Sequence, residues 1–207
     1  MKTRNILKFI CAGMMLTATI LGCGATTATE ADTKTNNQGA INKMENIDKS
    51  QILIAYFSWS GNTKAVAEEI QKQTGGQLFA ITPATPYSET YSVTVAKAKQ
   101  EQLTNARPKL KTNVEDFDNY KVIFLGYPNW WGSMPMPVAT FIESHNWQGK
   151  TIIPFYTHGG GGVQNCNEDL RKMLKDSSIM PYLLLSGSNV KNSQAEISSW
   201  LGQNFKQ

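Results

Sequence analysis

From Gln51 to Phe57 the chain reads Gln-Ile-Leu-Ile-Ala-Tyr-Phe. A near-continuous apolar run of this length predicts a strand covered on both faces. A helical pattern follows over about Asn62–Thr74. Val66 and Ile70 lie one turn apart on its inner face, Glu68, Glu69 and Lys72 lie outside, and Gly75-Gly76 stop it. Gln77–Thr82 reads as a short second strand, Lys121–Gly126 as a third, buried strand, and Thr151–Tyr156 as a fourth. Pro135 and Pro137 open a helix with Val138, Phe141 and Ile142 on one face. Asn167–Lys175 is helical with Leu170, Met173 and Leu174 inward, and Tyr182–Ser186 reads as the fifth strand. Ser193 and Glu196 have the spacing of a capping box for a last helix, whose inner face is Ile197, Trp200, Leu201 and Phe205.

Strands therefore begin near residues 51, 77, 121, 151 and 179. Units of about 30 residues are what a right-handed strand–helix–strand crossover needs. Five of them predict an α/β fold, a doubly wound parallel sheet with helices on both faces. Pro181 cannot donate to a ladder, which places the fifth strand at an edge. The interval from 77 to 121 is the long one. It holds an excursion, Pro83 to Phe117, with a helix over Ser88–Leu103 whose inner face is expected at Tyr91, Val95, Ala98 and Gln102. The excursion reads either as a cover beside a ligand crevice or as a simple surface insertion.

The first residues carry a different signal. Lys2, Arg4 and Lys8 precede an uncharged run from Phe9 to Gly22. That run is shorter than the roughly 20 apolar residues a membrane span needs. A basic start and a short apolar run read as a secretory signal over residues 1–22. The run ends Ile20-Leu21-Gly22-Cys23, which resembles a bacterial lipobox, so Cys23 is expected to be lipidated and to anchor the chain outside the cytoplasm. Residues 23–49 then read as a tether poor in apolar groups, reaching roughly 25–30 Å in r.m.s. terms. The globular domain is expected at 50–207.

This changes how charge and cysteines are counted. The 207-residue chain has 20 Lys and Arg against 16 Asp and Glu, a formal charge of +4. Without Lys2, Arg4 and Lys8 the 20 becomes 17 and the balance is +1. So even a balance implies no nucleic-acid surface. The 41% of apolar residues supports a real core. Cys11 leaves with the signal and Cys23 carries lipid. Cys166 is then a single thiol with no disulfide partner, either a reactive nucleophile or a buried bystander. Two histidines and no CxxC pair exclude a His-rich or zinc-ribbon metal site.

In an open α/β sheet, ligands bind beyond the carboxyl ends of the strands. The first such loop is Ser58-Trp59-Ser60-Gly61-Asn62-Thr63, at a helix N-terminus whose free N–H groups and dipole favour an anion. Ser60 or Asn62 as a plain helix cap explains one of these residues, not four polar ones in six. The loop is neither a P-loop nor a nucleophile elbow, and no dinucleotide fingerprint occurs. The third strand leaves through Tyr127-Pro128-Asn129-Trp130-Trp131-Gly132, whose rings can stack on a flat ligand or serve as core. The fourth leaves through Thr157-His158-Gly159-Gly160-Gly161-Gly162, a bare backbone able to meet a ligand edge, or a hinge. A lone His in such a loop is more often neither ligand nor base. A phosphate cradle, a stacking loop and a bare loop suit a phosphorylated flat ring, and FMN suits them better than a dinucleotide.

The same segments resemble the flavodoxin-like family. Ser58–Thr63 is similar to its phosphate loop. Tyr127-Pro-Asn-Trp-Trp-Gly132, with Met134–Val138 and Phe141–Glu143, is similar to a subfamily carrying a Tyr-Pro-x-Trp-Trp-Gly segment. Gly149–Phe155 and Thr157–Gly160 continue the likeness, which spans about 51–206. The resemblance implies strand order 2-1-3-4-5, noncovalent FMN and electron transfer. It implies that Ser58, Ser60, Gly61, Asn62 and Thr63 hold the phosphate. Pro128, Asn129, Trp130, Trp131 and Gly132 would line the ring, and Thr157, His158, Gly159 and Gly160 would meet its polar edge. Two features depart from the family. The domain is not strongly acidic, and Gly161-Gly162 stands where relatives often have Ser-Gly. The expectation is a membrane-tethered FMN electron carrier with an unidentified redox partner. The alternatives are an FMN-dependent NAD(P)H:quinone or metal reductase, and a lipoprotein binding some other ligand.

Overall fold

The computed structural model describes residues 47–204. Cys23, the signal and most of the tether lie outside the described residues, as does Phe205. Six strands follow the expected course: β1 (Ile52–Tyr56), β2 (Gln77–Ala80), β3 (Val122–Pro128), β4 (Thr151–His158), then the pieces β5 (Ser178–Ile179) and β6 (Leu183–Ser186). The helices are α1 (Asn62–Thr74), α2 (Tyr91–Leu103), α3 (Met136–Glu143), α4 (Cys166–Met173) and α5 (Gln194–Asn204). All strand pairs are parallel, in the order β2-β1-β3-β4-β5, with β6 also on β4. This is the doubly wound flavodoxin-like sheet.

The alternation of side chains explains the layers. Ile52, Ile54 and Tyr56 of β1 point to one face with Val122, Phe124, Ile153 and Phe155, where Val66 and Ile70 of α1 and Ile197, Trp200 and Leu201 of α5 cover them. Leu53, Ala55 and Phe57 point to the other, with Ile123, Leu125, Tyr127 and Tyr156, under Val138, Phe141 and Ile142 of α3 and Leu170 of α4. Each fully buried side chain of this size contributes about 1.5–3 kcal/mol. Both faces are apolar, which is why these strands read as unbroken runs.

The fifth strand differs from the expectation of one run over 182–186. It is two pieces: β5 pairs with Thr151–Ile152 and β6 with Phe155–His158. The break falls at Pro181 and opposite Pro154, and neither residue can donate to a ladder. On α2 the expected inner face holds at Ala98, which is buried, and at Val95 and Gln102, which are half-buried, but Tyr91 is 69% exposed and Thr94 is buried as well. The Ser193 hydroxyl donates to Asn189 O at 2.9 Å, so the capping-box spacing is used as a turn closing on the preceding loop. Among the described residues no helix is long and apolar enough to cross a membrane.

Candidate functional site

The loops leaving β1, β3, β4 and β6 meet at one end of the sheet. The β1 loop turns into α1 through Gly61, whose φ of +88° is the left-handed region where a side chain is strained. Gly61 is the N-cap and offers no side chain to the helix. The first helical hydrogen bond runs from Ala65 N to Gly61 O, 3.0 Å. The N–H groups of residues 62–64 therefore lie free at the helix end, where the dipole is positive. The Ser58 hydroxyl oxygen is buried there and has no hydrogen-bond partner among the described residues. An unmet buried hydroxyl costs about 1–3 kcal/mol. Its placement beside a free helix end is what a bound anion would relieve.

The expected roles are Thr63 on the phosphate and Thr157 on the polar edge of the ring. Their hydroxyls are 2.8 Å apart and buried, which joins the β1 and β4 loops directly. Asn62 lies against the β6 loop. A Cβ on Gly187 would come within 2.5 Å of its amide nitrogen. Gly187 N donates to His158 O at 2.9 Å, so the β6 loop closes the outer side of the cradle. His158 turns back on its own loop, its Nδ1 accepting from Gly160 N at 3.0 Å. Gly159 and Gly160 are exposed.

The β3 loop builds the other half. Pro128 is the last residue of β3, in register with Thr157, and Asn129 N donates to Thr157 O at 2.7 Å. The Asn129 amide bridges loops, giving Nδ2–H to Gly162 O (2.6 Å) and taking Gly132 N–H on Oδ1 (2.9 Å). Trp130 and Ser133 exchange backbone bonds in both directions, at 2.9 and 3.1 Å. Between them Trp131 (φ +53°) and Gly132 (φ +82°) have the backbone signs of a type I′ turn. A bulky residue in that region is strained, and such strain concentrates at sites.

The three indoles surround a cavity of about 270 Å³, lined by Trp59, Tyr91, Thr94, Val95, Ala98, Asn129, Trp130 and Trp131. Trp130 stands edge-on to Phe57 and Tyr87, with ring centroids 5.2 and 5.1 Å away. Tyr87 is itself fixed by donating its hydroxyl to the Glu101 carboxylate, and burial followed by that bond pushes its pKa well up. No carboxylate, amine or imidazole lines the slot. Cys166 is fully buried and burial pushes its thiol up to about 12, so it is the bystander rather than the nucleophile. Among the described residues no cluster of His, Cys, Asp and Glu could hold a metal.

The profile of the family described as Flavodoxin matches residues 51–204. The chain belongs to the flavodoxin family. A solved structure of a candidate flavoprotein from Bacteroides eggerthii is 34% identical, at a TM-score of 0.66, over 75% of this chain and 98% of that one. A second, from Bacteroides uniformis, is 28% identical at the same TM-score, over 74% and 98%. A flavoprotein from Lactobacillus acidophilus, solved in complex with FMN, shares the fold at 22% identity and a TM-score of 0.58, over 69% and 97%. No curated protein matches the chain.

The flavodoxin frame makes clear what the sequence did not signal. Trp59 and Thr94 line the slot without having been marked as site residues, whereas Tyr91, Val95 and Ala98, which also line it, are three of the four residues expected on the inner face of α2. Gln164, whose side chain lies against Gly132 and Gly161, had no signal beyond following the glycine run. The residues present fit FMN, with a donor-rich cradle at α1 and an aromatic slot next to it.

Proposed function

We propose that this flavodoxin-family chain is an FMN-binding electron carrier held outside the cytoplasm by lipid on Cys23. The observation that carries the cofactor assignment is the buried, unpartnered Ser58 hydroxyl at the uncapped end of α1, beside an indole-lined slot. Ser58, Ser60 and the N–H groups of Gly61, Asn62 and Thr63 hold the phosphate. Trp59, Trp130 and the wall of α2 keep water from the ring. Thr157 anchors the cradle to the β4 loop, and Asn129 fixes the β3 loop to the glycine run. Bound FMN supplies one- or two-electron redox chemistry.

A carrier is favoured over a hydride-using reductase because the residues lining the slot include no lysine or arginine to seat a second nucleotide's phosphates. The flavin-loaded chain, reduced chemically, should pass electrons to a dissolved acceptor. NADH or NADPH with added quinone should give no sustained oxidation. Steady turnover of either nucleotide would contradict the carrier and favour the reductase. For the tether, labelled fatty acid should enter the chain in a bacterial host, and Cys23→Ala should move it from the membrane to the soluble fraction. Membrane retention of Cys23→Ala would reject the lipid anchor.

A further inference from the structure

Helix α2 is attached to the domain in an unusual way. Its two buried side chains, Thr94 and Ala98, belong to neither apolar cluster of the sheet. Beside the Tyr87 hydroxyl on Glu101, several of its ties are side chains reaching backbone carbonyls. Trp59, from the β1 loop, gives its indole N–H to Ser88 O at 2.9 Å, just ahead of α2. Trp131, from the β3 loop, gives its indole N–H to Val95 O at 3.1 Å, within the helix. Thr94 Oγ1 donates to the same Ser88 O at 2.7 Å, and Gln102 Nε2 to Trp130 O at 3.4 Å. One turn beyond Val95, the Lys99 ammonium lies 4.7 Å from the centroid of the Trp131 ring. An indole has a single polar atom, its N–H donor. In both rings that atom is used on the excursion, and both rings line the slot that α2 closes.

We infer that Trp59 and Trp131 are positioning residues that latch α2 across the slot and so set the rate at which FMN enters and leaves. The inference rests on the FMN assignment above. Tyr91, Thr94, Val95 and Ala98 form one wall of the slot, so the way in for a flat ring widens when that wall swings away. Swinging α2 away as a unit breaks both indole bonds and the Gln102–Trp130 O bond. A latch that holds the wall shut with and without cofactor slows entry and exit alike. It leaves affinity nearly unchanged. An indole acting only as a stacking surface would instead change the exit rate and the affinity together.

The test uses the full chain with Trp59→Phe and Trp131→Phe, which keep an aromatic ring and delete the donor. Stopped-flow flavin fluorescence gives both rate constants. Each variant should raise entry and exit about fivefold, the worth of one net hydrogen bond. The entry rate is the discriminating readout, since a ring that only stacks on the flavin leaves it at the wild-type value. Hydrogen exchange of the FMN-free chain is the independent readout. Amides of α2 should exchange faster in each variant while those of β1 and β3 keep native protection. Native rates in both variants, or a loss of affinity through exit alone, would overturn the latch. If the wild-type chain takes up no FMN, the cofactor assignment fails, and α2 exchange decides the latch by itself: faster exchange supports it, unchanged exchange rejects it.

Discussion

Ser58 links stability and binding at the scale of one atom. Its hydroxyl lies buried with no partner. Ser58→Ala should therefore leave the FMN-free chain as stable or stabilise it by about 1 kcal/mol, while lowering FMN affinity about tenfold. Thermal melting and a flavin titration read the two effects. A destabilised FMN-free variant with native affinity would mean that the hydroxyl serves the fold. Gly132 makes the opposite case. With φ at +82° and Gln164 Oε1 2.5 Å from the place of a Cβ, Gly132→Ala should cost more than about 1 kcal/mol in chemical denaturation, through strain in the turn that presents Trp131. The helix end without a side-chain cap after β1 was legible because a glycine directly before a helix pattern marks such an end. The Thr63–Thr157 contact was not, because it spans 94 residues and no local pattern encodes it.

The elements were legible in proportion to how apolar they are. β1, β3 and β4 are buried on both faces and read directly from composition. The split of the fifth strand was half visible. Pro181 signalled an edge, but the break also needs Pro154 on the neighbouring strand, and only the register brings the two together. The orientation of α2 was readable at Val95, Ala98 and Gln102 but not at Thr94, because bonds to backbone carbonyls add to its attachment and leave no apolar pattern. Close packing between strands has its own signature at Gly126, where a Cβ would fall 2.0 Å from Phe155 ring atoms. Gly126→Ala should lower unfolding free energy by at least about 2 kcal/mol, since neither strand can move aside. A denaturation midpoint near wild type would show that β3 and β4 can part at little cost.

For the whole molecule, acid sensitivity has a nameable source at the end of the sheet away from the site. His145 is packed on Phe117 and Phe141, with centroids 4.1 and 4.6 Å away, and burial lowers its pKa below 6.5 despite its bond to Phe141 O and the nearby Asp118. Lys150 adds to the lowering. The unfolded chain then binds the proton more readily. The stability this ring contributes is complete above pH 6.5 and is lost as pH falls through the lowered folded value. His145→Phe should flatten the change in urea midpoint between pH 7 and pH 5, and an unchanged slope would assign acid sensitivity elsewhere. FMN binding at the cradle should be untouched by this variant. The near balance of charge outside the first segment leaves little long-range steering, so reaction with a partner should depend only weakly on salt.

The claim on which the rest depends is that the cradle and the indole slot together hold FMN. Titrating the full chain with FMN, while following the visible spectrum and flavin fluorescence, tests it most directly. The account predicts saturation at one flavin per chain, strong quenching and a structured, red-shifted absorption band, all weakened in Ser58→Ala. A folded chain that leaves the spectrum and the fluorescence of added FMN unchanged would contradict it.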